Sequence, residues 1–360
     1  MSRGTKVRIH LPHLRHNLSV VSKYATGKKI WAVIKADAYG HGLIPVAHCL
    51  RRDADGLAVA TLGEAQTLRE AGINSPILLL EGGLTLAQTQ QALDEQLDLV
   101  VHTREQAEWL AECDIDHPLR VWVKLDTGMH RLGLLAADVA SVVQILENLP
   151  GIRSLAFMTH YACADEPDHA MTAQQAARFK ALVPATAETS LANSAGVLCW
   201  PDLQGTWVRP GIMLYGASPG VAKSASDWGL KAGMTLTAPV IALRDLPAGE
   251  SIGYGATYTT RSPARIATVA IGYADGYPRH APTGTPAWLN GQRVSTVGRV
   301  SMDMLTVDVT SLPAVKLGDE VELWGMHVSV DEVAQSCGTI GYELLARLSI
   351  RGPYEYDDVP

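Results

Sequence analysis

No run in this 360-residue sequence approaches the ~18 to 20 apolar residues of a membrane-spanning helix, and the opening MSRGTKVRIHLPHLRHNL lacks the apolar core of a secretory signal. The expectation is a soluble, cytoplasmic protein. Cysteine is scarce: Cys49, Cys113, Cys163, Cys199 and Cys337 are scattered, odd in number and form no C-x-x-C, which reads as buried unpaired thiols in a reducing compartment. The 12 histidines include no H-E-x-x-H and no Cys/His cluster, so no metal site is expected. A positive excess is missing too: 30 Lys and Arg against 37 Asp and Glu leave a net charge of −7 and no basic stripe, which argues against nucleic acid as a partner. Any anionic ligand must be caught locally.

What is present is the composition of a compact globular chain, with 47% apolar and 19% charged residues. The length favours one large domain plus a smaller one. Eight short apolar runs punctuate the first two-thirds: 29–36, 56–61, 76–81, 97–102, 120–126, 154–160, 190–196 and 206–212. Amphipathic stretches such as LGEAQTLREAG, TREQAEWLAEC and DVASVVQILENL lie between them, with apolar residues every three or four positions. Eight strands alternating with helices predict a (β/α)8 TIM barrel, an α/β fold, over residues 1–232. From about residue 233 to 360 the texture changes to short strands broken by Gly and Pro, which predicts a separate all-β domain. The opening TKVRIHL is strand-like as well, and residues 1–10 are expected to pair with that β domain.

Barrels of this kind carry their chemistry where strands end in βα loops. Those ends read Lys35, Asp126 to Arg131, His160, Asn193 with Ser194, and Arg209. Lys35 follows an apolar run, so its amine is expected in a partly desolvated mouth with a lowered pKa, suited to condense with an aldehyde cofactor and to move a proton. Position alone is equally compatible with an exposed terminal lysine. After the seventh and eighth runs, NSAG and VRPGI offer a hydroxyl, backbone N–H groups and a glycine where such barrels bind phosphate, although packing alone also accounts for small residues there.

In order along the chain, AVIKADAYGHG, VKLDTGMHRLG, THYACADE, ANSAG, WVRPGI, GYGATY, GYADGYPR and GRVSMDM resemble the motifs of bacterial alanine racemases, and the similarity spans nearly the whole sequence. The resemblance implies a fold-type-III, pyridoxal 5′-phosphate-dependent isomerase that interconverts L- and D-alanine, either supplying D-alanine for peptidoglycan or degrading it. It further implies a head-to-tail homodimer in which the β domain supplies a tyrosine to the partner's barrel.

Residue by residue, the resemblance makes Lys35 the cofactor's covalent anchor and one base, and Tyr254 the opposed base acting from the other subunit. Two bases on opposite faces suit a racemase, because one base returning its own proton preserves configuration. His160 and Arg209 would support Tyr254, and Arg209 would also donate to the pyridine nitrogen. Tyr39, Asn193, Ser194, Gly211, Ile212 and Tyr342 would bind the cofactor, mostly its phosphate. Arg131, with Met302 and Asp303 from the partner, would bind substrate, and Asp165, Tyr273, Arg279 and Arg299 would line the substrate's access corridor. Lys124 matches a lysine that some relatives carbamylate, the alternative being an ordinary lysine paired to Asp or Glu. The other readings are a racemase of broader specificity, a fold-related amino-acid decarboxylase and a non-catalytic cofactor carrier. Arginine in WVRPGI weighs against the decarboxylase, and GYGATY with SMDM against the carrier.

Overall fold

The computed structural model of the chain describes residues 3–220, 223–312 and 314–357. Strand β1 (Lys6–Ile9) precedes a helix over Leu11–Tyr24. Eight parallel strands then close into a barrel: β2 (Lys29–Val33), β3 (Gly56–Val59), β4 (Ile77–Leu79), β5 (Asp98–Val101), β6 (Leu119–Lys124), β7 (Ile152–Met158), β8 (Thr189–Ser190) and β9 (Trp207–Val208). Closure is made where Lys29 and Ile30 of β2 pair with Trp207 and Val208 of β9. Each of the eight apolar runs overlaps one of these strands, with β6, β7 and β8 beginning one or two residues before their runs. The last two are far shorter than their runs, for a local reason in each case. After Ser190 the Asn193 side chain accepts from the Gly196 N–H and starts a helix over Ser194–Cys199. After Val208, Pro210 has no N–H to give the ladder.

The amphipathic stretches form helices over Leu62–Glu70, Arg104–Glu112 and Ala136–Glu147. The first begins with a capping box, in which Thr61 Oγ1 accepts from Glu64 N and the Glu64 carboxylate accepts from Thr61 N. The barrel base is plugged by aromatics: Trp31 stacks on Trp207 with 4.6 Å between centroids, and Trp122 stands edge-on to both. The Arg120 guanidinium lies over Trp31 and Trp207 while its Nε donates to Asp98 at 2.7 Å.

The C-terminal domain is built on β10 (Met234–Leu246), whose 13 residues pair with several partners. A small hairpin, β11 (Ser251–Ile252) and β12 (Tyr258–Thr259), is followed by β13 (Ala264–Val269), β14 (Pro286–Leu289), β15 (Gln292–Thr296), β16 (Leu305–Asp308), β17 (Glu320–Trp324) and β18 (Tyr354–Tyr356). The sheet order is β13-β16-β15-β14-β17-β10-β1-β18, with β13 also pairing to β10. Strand β1 lies in this sheet, antiparallel to β10 and parallel to β18; residues 1 and 2 of that opening segment lie outside the described residues.

Beside its strands the C-terminal domain carries short helices over Val330–Ser336 and Gly341–Ala346, the first opened by a Ser329/Glu332 capping box. One expectation needs correction. Of the five thiols, Cys49 and Cys337 are buried, whereas Cys113, Cys163 and Cys199 are only partly so. Among the described residues no helix is long and apolar enough to cross a membrane.

Candidate active site

Strand β2 ends in an unusual turn. Ala36, Asp37, Ala38 and Tyr39 all have φ between 52° and 54°, a left-handed helical turn that immediately follows Lys35. Left-handed backbone costs an L-residue roughly 1–2 kcal/mol, so four in succession persist only because surrounding contacts over-determine them. Glu64 Oε1 accepts from Ala36 N at 2.6 Å, and Asp37 Oδ1 accepts from Leu43 N at 2.7 Å. Gly40, at φ 75°, packs so closely on the 341–346 helix that a Cβ there would strike the Leu345 carbonyl. His41, fully buried, holds the Tyr39 carbonyl through Nδ1 at 2.9 Å, and burial pushes its pKa down to about 4.

Above the barrel lies a cavity of about 510 Å³ whose lining includes Lys35, Tyr39, Lys124, Arg131, His160, Asn193, Ser194, Arg209, Gly211, Ile212 and Tyr342 of the sequence-derived set, together with Glu81 and mostly apolar neighbours. Lys35 is half-buried, and desolvation first, then the nearby Arg131 charge, lowers its pKa. Lys124 is pushed down to about 8 by burial and by Arg209, Arg131 and Lys35, and among the described residues no carboxylate lies within ion-pairing distance of it. Arg131 is presented by a loop that folds back on β6, where Leu134 N donates to Lys124 O at 2.8 Å and Asp126 Oδ1 accepts from the amides of Gly128 and His130.

Arg209 forms the cavity floor. It is 5% exposed and donates from Nη1 to the carbonyl and hydroxyl of Ser190, and from Nη2 to the carbonyls of Thr159 and Leu191. Burial pushes its pKa down to about 10, so it stays protonated near neutral pH. His160, half-buried against this guanidinium, has its pKa held well below the usual range by desolvation and by the Arg209 charge, and is neutral.

The groups expected around a phosphate cluster at one wall. A Cβ on Gly211 would collide with the Tyr39 hydroxyl, and Tyr342 stands 6.1 Å from Tyr39 between ring centroids. The details differ from expectation in two places. Gly211 N already donates to Ser194 Oγ at 2.9 Å, so the hydroxyl hydrogen of Ser194 is the group left to turn outward. Asn193 lines the cavity, but its carboxamide is engaged with Gly196 N and, at 3.4 Å, the Tyr161 carbonyl.

The β-domain residues stand apart. Tyr254, at the tip of the β11–β12 hairpin, is 68% exposed, and Met302 is 54% exposed. Tyr273 and the arginines 279 and 299 are exposed too; both arginines border a separate cleft that includes Thr257 and His280. The Asp303 carboxylate accepts from Arg3 and from Arg351 Nη2, the latter at 2.7 Å, and Arg351 also grips the buried Asp275. Asp165 lies on the barrel, beyond His160, against Gly220. None of these seven lines the chain's own cavity. Two acidic residues escaped the sequence reading. Glu81, at the end of β4, lines the cavity, and the strand-end rule that selected Lys35 points to it equally. Glu64 lies in the amphipathic stretch LGEAQTLREAG, which disclosed its helix but not its contact with Ala36.

The alanine racemase N-terminal domain family matches residues 9–219, and the alanine racemase C-terminal domain family matches residues 233–356. An alanine racemase of Stutzerimonas stutzeri is 49% identical over 97% of this chain and 98% of its own length. A biosynthetic alanine racemase of Pseudomonas aeruginosa is 48% identical over 97% of this chain and 98% of its own. The crystal structure of biosynthetic alanine racemase from Pseudomonas aeruginosa superposes with a TM-score of 0.95 at 47% identity, covering 99% of this chain and 100% of that one. That of Acinetobacter baumannii gives 0.93 at 41%, covering 98% and 99%. With both halves matched in sequence and the barrel and strand domain matched in space, the chain belongs to the alanine racemase family.

Proposed function

We propose that this protein interconverts L- and D-alanine in a homodimer whose active sites are shared, with pyridoxal phosphate held at Lys35. A role supplying D-alanine for peptidoglycan in the cytoplasm accords with the Pseudomonas aeruginosa relative described as biosynthetic. The cavity residues fit the cofactor. A desolvated amine faces a cationic floor, and the wall at Gly211 is a cradle that a single Cβ would fill. Lys35 would anchor the aldehyde carbon, Arg209 would face the pyridine nitrogen, and Tyr39, Ser194, Ile212 and Tyr342 would surround the phosphate. Once bound, the cofactor supplies an electron sink that acidifies the substrate's α-hydrogen.

The observation that carries the reading is the pairing of a desolvated Lys35 inside the cavity with an exposed Tyr254 outside it. Lys35 Nζ, with its lowered pKa, holds or accepts a proton on one face of the α-carbon. Tyr254 Oη, delivered from the partner's hairpin, does so on the other. Arg131 orients the substrate carboxylate, and Met302 and Asp303 of a second chain narrow the pocket to a small side chain. Neutral His160 keeps an N–H on Nε2 with which to meet the tyrosine oxygen. Lys124 is carbamylated in this reading: its uncharged amine is accessible near neutral pH, and an added negative charge would serve the three cations around it.

The test is racemisation of each alanine enantiomer in deuterated water. The wild type is expected to exchange the α-hydrogen in both directions, Tyr254→Phe to lose racemisation equally from both enantiomers while still exchanging the α-hydrogen of D-alanine through Lys35, and Lys35→Ala to lose the cofactor's visible band. A bound cofactor with no racemisation would instead indicate a decarboxylase or a carrier.

A further inference from the structure

We propose that Glu64 is the positioning residue for Lys35, its carboxylate tying the start of the left-handed turn to the helix that follows β3. The proposal rests on Lys35 being the base of the reaction proposed above. The two carboxylate oxygens do different things. Oε2 accepts from Ala60 N at 2.9 Å and Thr61 N at 3.1 Å, which completes the capping box of its own helix. Oε1 reaches across to another strand and accepts from Ala36 N at 2.6 Å, 28 residues away in sequence.

Ala36 N belongs to the peptide that Lys35 begins. The β2 ladder has just ended there, its last bond running from Ile34 N to Ala58 O at 2.9 Å. The next amide therefore has to find an acceptor outside the sheet, and the chain is entering backbone that L-residues avoid. Asp37 closes the far end of the turn through Leu43 N, so the segment is pinned by one carboxylate at each end. Helix capping alone requires one oxygen; the second oxygen is what fixes the direction in which the Lys35 side chain leaves the backbone. Arg131, Lys124, Glu81 and Glu64 are the charges facing the amine, so Glu64 could also act on it simply as a charge.

Two variants separate position from charge. Glu64→Asp keeps the charge and, one methylene shorter, can cap its own helix but not reach Ala36. Glu64→Gln keeps the reach while presenting an NH2 to amide donors. The holoenzyme is compared for kcat and KM with both alanine enantiomers, α-deuterium isotope effects, pyridoxal phosphate affinity and thermal midpoint. For Glu64→Asp we expect kcat/KM to fall about tenfold or more in both directions, as equilibrium requires, because misplacing a reacting group is costly in rate. The isotope effect is expected to grow from D-alanine, where Lys35 takes the proton, and not from L-alanine. Cofactor affinity should fall about tenfold with little change in thermal midpoint.

Wild-type isotope effects and cofactor affinity in Glu64→Asp, with or without a lower midpoint, would reduce Glu64 to a helix cap and overturn the proposal. A defect confined to Glu64→Gln, with Glu64→Asp normal, would show the bond to Ala36 N to be dispensable and overturn the proposal equally. If the wild type does not racemise alanine, the functional reading fails on its own, and the affinity and midpoint of Glu64→Asp still decide the role of Glu64.

Discussion

Nη2 of Arg209 stands 3.3 Å from Nδ1 of His160, and because a guanidinium only donates, the imidazole accepts through Nδ1 and carries its proton on Nε2. The same guanidinium stays protonated near neutral pH, so in the function proposed above it would offer the cofactor's ring nitrogen a hydrogen bond but not a proton. A weaker electron sink leaves fewer routes into transamination. Arg209→Glu is expected to slow racemisation by about 10²-fold while raising pyruvate formed per turnover. A slow variant that makes no additional pyruvate would sink the argument.

If each site draws Lys35 from one chain and Tyr254 from the other, two inactive variants should complement. Mixing Lys35→Ala with Tyr254→Phe and allowing subunits to exchange yields hybrid dimers, half the population, with one intact site each. Recovery of about a quarter of wild-type activity is the expected ceiling. No recovery despite demonstrated exchange would mean that each chain supplies both groups to its own site.

Lys124, with its pKa pushed down to about 8, should take up carbon dioxide more readily as pH rises through that value, since only the uncharged amine reacts. With ¹³C-bicarbonate, a carbamate resonance should appear in the wild type, strengthen above pH 8 and be absent from Lys124→Ala. A spectrum identical in the two proteins would return Lys124 to the role of an ordinary buried lysine.

At the barrel base, burial raises the Asp98 pKa while Arg120, 2.7 Å away, opposes that shift. Arg120→Met removes the opposition and strips the cation from the Trp31 and Trp207 faces. Urea unfolding at pH 7 should show a loss of about 2–4 kcal/mol, since a buried carboxylate is left without its partner. The sign with pH follows: a carboxyl whose folded pKa is raised carries no penalty when protonated, so the loss should shrink as pH falls through the carboxylate range. KM for alanine should not move, because the substituted residue lies at the end opposite the cavity. An equal loss at pH 4 and pH 7 would assign the effect to ring packing.

Much of this was legible in the chain because each signal was local. Eight apolar runs marked eight strands, and the strand-end rule found Lys35, His160 and Arg209 without reference to shape. The left-handed turn was invisible. Ala36, Asp37, Ala38 and Tyr39 carry no signal for such backbone, and what enforces it comes from Glu64 and Leu345, far away in sequence. The same limit applies to Gly211, whose amide is taken by Ser194 across a strand end. The helix over Val330–Ser336 is different: Ser329 and Glu332 announced it, but the surrounding Gly- and Pro-rich texture masked the signature.

Because Arg8 and Glu355, 347 residues apart, stand side by side in one sheet, the polypeptide is close to a ring left open at one edge. During synthesis β1 has no partner until β10 has been made and keeps one edge open until β18 follows, so the whole barrel can assemble before its N-terminal lead-in is held on both sides.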